Sequence, residues 1–119
     1  MTGVQTCALP IYNLHATEFC RLIKGKVKGL IFDPPYSPRQ ISECYKGIGK
    51  HLTQAEVQRW REDVKDIMTP KIKSGGIVIC CGWNSQGFGK GLGFEMIEIL
   101  TVAHGANHND TIITVEIKK

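Results

Sequence analysis

An apolar run, Val27–Phe32, ends abruptly at Asp33-Pro34-Pro35-Tyr36. The run reads as a strand buried on both faces, as strands of parallel sheets are. Two consecutive prolines forbid both helix and ladder pairing, so the chain must leave the sheet there. An acid and an aromatic are left just beyond the strand's carboxyl end, where open α/β sheets hold their ligands.

The flanking segments complete an α/β pattern. Residues 16–23 have a short helical period, with Phe19, Leu22 and Ile23 on one face and Gly25 as the stop. Residues 37–49 form a loop with room for one helical turn, Ser37 as its cap and Pro38 in first position. The clearest helix starts at Thr53, which has capping-box spacing to Glu56. Val57, Trp60, Val64, Ile67 and Met68 follow at helical spacing, leaving Arg59, Arg61, Glu62 and Lys65 outside. Pro70 ends or kinks that helix. Ser74-Gly75-Gly76 then turns the chain into a second buried strand at 77–81. Strand, capped helix, glycine turn and strand form a crossover unit with parallel strands. Residues 82–93 are a glycine-rich loop, and 96–103 and 111–117 read as a closing antiparallel hairpin. In the last strand Ile113, Val115 and Ile117 alternate with Thr114 and Glu116.

The 119 residues suffice for one small domain, and no apolar stretch approaches the roughly 20 residues that span a bilayer. A net charge of +4 permits a polyanionic partner without demanding one. The densest basic group, Lys24, Lys26 and Lys28, reads as a solvated turn or as a phosphate contact. Five cysteines at irregular spacing, two of them adjacent at Cys80 and Cys81, point to reduced, buried thiols in a cytoplasmic protein. With His15, His51, His104 and His108 they make no metal-ligand spacing, so no metal is expected.

Residues 1–11, MTGVQTCALPI, lack a basic start and a long enough apolar core for a secretory signal. The string resembles a spurious translation of sequencing-adapter DNA. The natural reading is therefore expected to begin near Tyr12, with an upstream segment lost.

A strand closed by Asp33-Pro34-Pro35-Tyr36 resembles the catalytic motif of S-adenosylmethionine-dependent methyltransferases that act on exocyclic amino groups of DNA bases. The longer string through Ser37-Pro38-Arg39-Gln40 is similar to small phage-type adenine methyltransferases, some of them partners in restriction-modification. Gly82-Trp83-Asn84, Ala103-His104-Gly105 and His108-Asn109-Asp110-Thr111 add to the likeness, which covers residues 12–119. The resemblance implies a partial Rossmann-like methyltransferase fold, the catalytic-motif half of a domain, with DNA as partner and S-adenosylmethionine as cofactor. An exocyclic amino nitrogen is a poor nucleophile because its lone pair is delocalised into the ring. Asp33 and the Pro34 carbonyl would accept its N–H bonds and draw it toward tetrahedral geometry. Pro34 and Pro35 would stiffen the loop, and Tyr36 would stack on the extruded base. Ser37, Arg39, Trp83, Asn84 and Lys90 are candidates for substrate and DNA contact. Trp83 reads equally as core or as site wall.

Aspartate as the first motif residue favours adenine; methylation of cytosine at its exocyclic amine is the alternative enzyme. A truncated, non-catalytic nucleic-acid-binding remnant is the other reading. No glycine-rich turn and no ribose acid precede Asp33, so the cofactor residues remain unknown. The loop Gly87-Phe88-Gly89-Lys90-Gly91-Leu92-Gly93 is no substitute. It lacks the Ser or Thr of a Walker loop, and a strand rather than a helix follows it. It reads as a mobile loop near the substrate or as an inert connection.

Overall fold

The computed structural model describes residues 12–34, 53–105 and 110–119, the side chains of Gln54 and Val57 excepted. The expectations for residues 1–11, Pro35, Tyr36, Ser37, Arg39, the helical turn within 37–49 and His108 lie outside the described residues.

Helix α1 spans Ala16–Leu22, and the His15 side chain accepts from the Thr17 amide at its start. Its buried face is not the expected one. Cys20 is buried, and Ala16 and Ile23 pack against the core, while Phe19 and Leu22 are 36% and 55% exposed. A helix this short carries two competing apolar stripes. The stripe with the small residues Ala16 and Cys20 goes inward, where His15 and Trp60 meet edge to face at 5.3 Å. Lys71 Nζ donates to the Cys20 carbonyl at 2.7 Å, a cation on the helix's carboxyl end.

Helix α2, Gln54–Met68, begins as its sequence predicts, with the Glu56 amide donating to Thr53 Oγ1 at 3.2 Å. Trp60, Val64 and Met68, each four residues apart, form the fully inward stripe. A single 3-10 turn, Thr69–Lys71, carries Pro70 in its first positions and ends the helix. Lys118 Nζ bridges the carbonyls of Thr69 and Ile72, at 2.5 and 2.8 Å, and ties this corner to the last strand.

Four strands form one sheet in the order β1-β2-β4-β3. They are β1 (Val27–Phe32), β2 (Ile72–Gly82), β3 (Phe94–Val102) and β4 (Thr111–Lys118). β1 and β2 are parallel, and β4 lies antiparallel between β2 and β3. Parallel strands with a closing antiparallel pair are thus present. The expected turn at Ser74-Gly75-Gly76 is instead a bulge inside β2. The register jumps from Val27↔Ile72 to Gly29↔Ile77 across it. Gly75 has φ +82°, and a Cβ on Gly76 would sit 2.7 Å from the Lys73 carbonyl oxygen and 2.9 Å from that of Lys28. The two glycines let the bulge form without breaking the strand.

Both helices lie on one face of the sheet. That face presents Leu30 and Phe32 of β1, Val78 and Cys80 of β2 and Phe94 of β3 to the core. Cross-strand register puts Glu116 and Thr114 of β4 on the same face, opposite Val78 and Cys80. The alternating isoleucines of β4 therefore point away from the helices, joining Ile77 and Ile79 of β2 and Ile31 of β1. Burial of β1 on both faces is not observed: Ile31 is 72% exposed, because among the described residues nothing packs on the second face. β1 pairs with β2 alone among the described strands. No helix among the described residues is long and apolar enough to cross a membrane.

Candidate active site

Parallel pairing of β1 and β2 brings their carboxyl ends side by side. A cleft of about 180 Å³ opens there. Phe32 and Pro34 line it from the end of β1, and Cys80 through Asn84 line it from the end of β2. Asp33 stands between Phe32 and Pro34 and is exposed, whereas Pro34 is buried. Trp83 is 41% exposed and faces the cleft, so it is wall and not core. Asn84 also lines it, and its Oδ1 accepts from the Gln86 amide at 3.0 Å, which curls the loop inward. Lys90 is exposed in the 3-10 turn Lys90–Leu92 and does not line the cleft.

From Phe32 a run of edge-to-face rings extends into the core. Phe32 meets Trp60 at 6.2 Å and Phe88 at 6.4 Å, and Phe88 meets Phe94 at 5.1 Å. Each such pair adds roughly 0.5–1.5 kcal/mol beyond its burial. The residue before the Asp-Pro motif is therefore locked to α2 on one side and to the glycine-rich loop on the other.

The same loop is held from β4. Glu116 is 1% exposed, and its two carboxylate oxygens accept from consecutive amides, Phe88 at 2.7 Å and Gly89 at 2.8 Å. These amides are thus already engaged.

Electrostatics at the cleft argue against thiol chemistry. Burial pushes the Cys80 thiol up to about 12, and the neighbouring Glu116 charge adds to the rise. Burial also raises Cys81, with the Asp33 carboxylate contributing, which places Asp33 within electrostatic reach of the β2 end. Both cysteines stay protonated near neutral pH and are poor nucleophiles.

No family model matches the sequence, and no curated protein does. Several solved structures match the fold. TrmN from Thermus thermophilus gives a TM-score of 0.57 at 15% identity, over 91% of this chain and 28% of its own. A second Thermus thermophilus protein, assigned as a DNA modification methylase, gives 0.56 at 12% identity, over 87% of this chain and 51% of its own. A protein from Streptococcus mutans assigned as a methyltransferase and solved with SAH gives 0.50 at 9%, over 98% of this chain and 66% of its own. The fold is that of Rossmann-like methyltransferases. The chain spans between 28% and 66% of the length of these proteins, and identities this low establish the fold alone.

Within this methyltransferase fold, the structure adds cleft residues that the sequence does not reveal. Gln58, Arg61 and Lys65 of α2 form a polar, cationic wall. Periodicity sets Arg61 and Lys65 on the solvent side, but both are half-buried. They flank the Trp60–Val64 stripe, and a helix end that overhangs a strand's carboxyl end turns its flank into a site wall. The only sequence signal is their spacing of four. Gln86, Gly87 and the clamp residue Glu116 carry no signal at all.

Proposed function

We propose that residues 12–119 form the catalytic-motif half of an S-adenosylmethionine-dependent methyltransferase that modifies the exocyclic amino group of adenine in DNA. The observation that carries this reading is the cleft itself. An Asp-Pro pair ends a parallel strand beside the end of its neighbour, in a methyltransferase fold. Among the fold's relatives, one is assigned as a DNA modification methylase and one was solved with SAH.

Asp33 supplies an exposed carboxylate and Pro34 a carbonyl, two acceptors for the two N–H bonds of an amino group. Accepting both draws the nitrogen lone pair out of conjugation. The acceptors are preorganised, because Phe32 is locked by its ring contacts and Pro34 is buried and fixed in φ. Trp83 offers an aromatic wall on which a base extruded from the duplex can rest, and Tyr36 is its proposed partner. Arg61 and Lys65, with Arg39 and Ser37, suit the phosphates of the same strand. In the glycine-rich loop the Phe88 and Gly89 amides are taken by Glu116 and are not offered to a ligand.

The test is a version extended with the upstream reading frame, assayed with labelled S-adenosylmethionine on DNA. The label is expected as N6-methyladenine, and Asp33→Ala is expected to lower turnover by roughly 100-fold or more. Near-normal turnover in the variant would refute the role of Asp33. Label recovered in N4-methylcytosine would replace adenine by cytosine.

A further inference from the structure

We infer that Glu116 is the positioning residue of the cleft: its buried carboxylate, clamped on the Phe88 and Gly89 amides, fixes the loop that carries Trp83, Asn84 and Gln86. The inference rests on reading the cleft as the substrate site. A carboxylate at 1% exposure is costly to hold in a core unless each oxygen is hydrogen-bonded. Here each oxygen has one amide, at 2.7 and 2.8 Å. Consecutive amides can converge on one carboxylate only if the backbone turns sharply before them. Gly87 makes that turn with φ +56°.

The fit leaves no slack. A Cβ on Gly87 would stand 2.0 Å from Glu116 Oε1 and 2.6 Å from its carboxyl carbon. Immediately after the turn, the Phe88 ring enters the core between Phe32 and Phe94. The loop is thus held by a charge on its backbone and by a ring beneath it. Before the clamp, Trp83, Asn84, Gln86 and Gly87 line the cleft. The strand position of Glu116, opposite Val78, makes this a contact between the last strand and a loop 27 to 28 residues earlier.

If Glu116 merely filled space, Glu116→Gln would be silent, because the amide is isosteric. If it positions the loop, the variant places an NH2 donor against a backbone N–H and opens one side of the clamp. Amide hydrogen exchange by NMR on the 119-residue chain reads this directly. In Glu116→Gln the Phe88 and Gly89 amides are expected to exchange roughly tenfold faster or more, the loss of one hydrogen bond to a charged acceptor. Val78 and Ile79 in β2 should keep their protection. The Trp83 indole N–H resonance should shift, while that of buried Trp60 should not.

Gly87→Ala attacks the same contact from the loop side and should reproduce the pattern. It also carries the test if Glu116→Gln does not fold. Unchanged exchange at Phe88 and Gly89 would overturn the inference. So would a uniform loss of protection across β2 and β4, which would mark Glu116 as a general support of the sheet. Neither readout involves methyl transfer, so a protein that fails to methylate DNA leaves this result intact.

Discussion

Phe88→Ala tests whether the glycine-rich loop belongs to the cooperative core or is draped over it. Phe88 is 5% exposed, with ring centroids 5.1 Å from Phe94 and 6.4 Å from Phe32. Removing the ring forfeits ~1.5–3 kcal/mol of transfer free energy. Two edge-to-face contacts add ~0.5–1.5 kcal/mol each. Incomplete collapse of the cavity brings the total to ~3–5 kcal/mol, the range for core Phe→Ala changes. Phe88→Leu keeps most of the burial and loses the ring contacts, so ~1–2 kcal/mol is expected. Against a domain stability of ~5–15 kcal/mol, the alanine variant should be near the limit of folding.

The assay is urea unfolding followed by circular dichroism, comparing midpoints at matched slopes. The alanine variant is expected to lose about twice what the leucine variant loses, or more, with little change in slope. An alanine variant within ~1 kcal/mol of the parent would refute the reasoning. It would mean that the loop opens as a separate unit, and that the ring run from Trp60 to Phe94 contributes nothing to the cooperative core.

Cys80 makes stability fall at high pH. Its thiol ionises near 9.0 when unfolded and at about 12 when folded, so the folded state holds the proton more tightly in between. The stabilisation is complete below pH 9 and is lost as pH rises toward 12; urea midpoints of the parent should fall faster over that window than those of Cys80→Ala, and parallel curves would count against it. Tyr36→Phe should be mild in the extended protein, and Tyr36→Ala should cost ~1–3 kcal/mol in DNA binding; equal losses would shift the role from ring to hydroxyl. Calorimetry with S-adenosylmethionine on the 119-residue chain should show weak binding or none. A low-micromolar dissociation constant would show a complete cofactor site and reopen the loop at 82–93.

Local chemistry is legible in the sequence, and long-range partnership is not. Val27–Phe32 is bounded as the prolines require, and α2 starts where Thr53 and Glu56 place it. Both signals act within four residues. The inward face of α1 differs from the expected one because seven residues support two stripes, and only the position of Trp60 on another helix decides between them. Ser74-Gly75-Gly76 fits a turn or a bulge equally well. The choice falls to Lys28, whose carbonyl approaches Gly76 from β1. In β4 the alternation is plain, but which set faces the helices is not. Glu116 goes inward because two amides from a distant loop receive it, and no local pattern encodes that. At the candidate site the Asp-Pro motif announces itself, whereas Arg61 and Lys65 look like any solvated helix face until the strand ends are placed beneath them.

The uncovered face of the sheet has a physical meaning under the proposed division of the domain. Ile31, Ile79 and Val115 form an apolar row across β1, β2 and β4; in β3 Glu98 stands opposite Val115, and Leu100 pairs with Ile113 on the same face. Ile31 is 72% exposed and Leu100 45%. A strand meant to meet water on one face alternates polar with apolar residues; a run such as Leu30-Ile31-Phe32 suits burial on both. The helix-covered face holds the buried core, with the clamp and the ring run in it. The second face therefore specifies a layer of its own. β1 also leaves one ladder edge unpaired among the described strands, and exposed edges are usually paired, covered or charged. An apolar face and an open edge thus meet at the strand that leads into Asp33, and a layer packed on that face would bury Ile31 and Ile79 together.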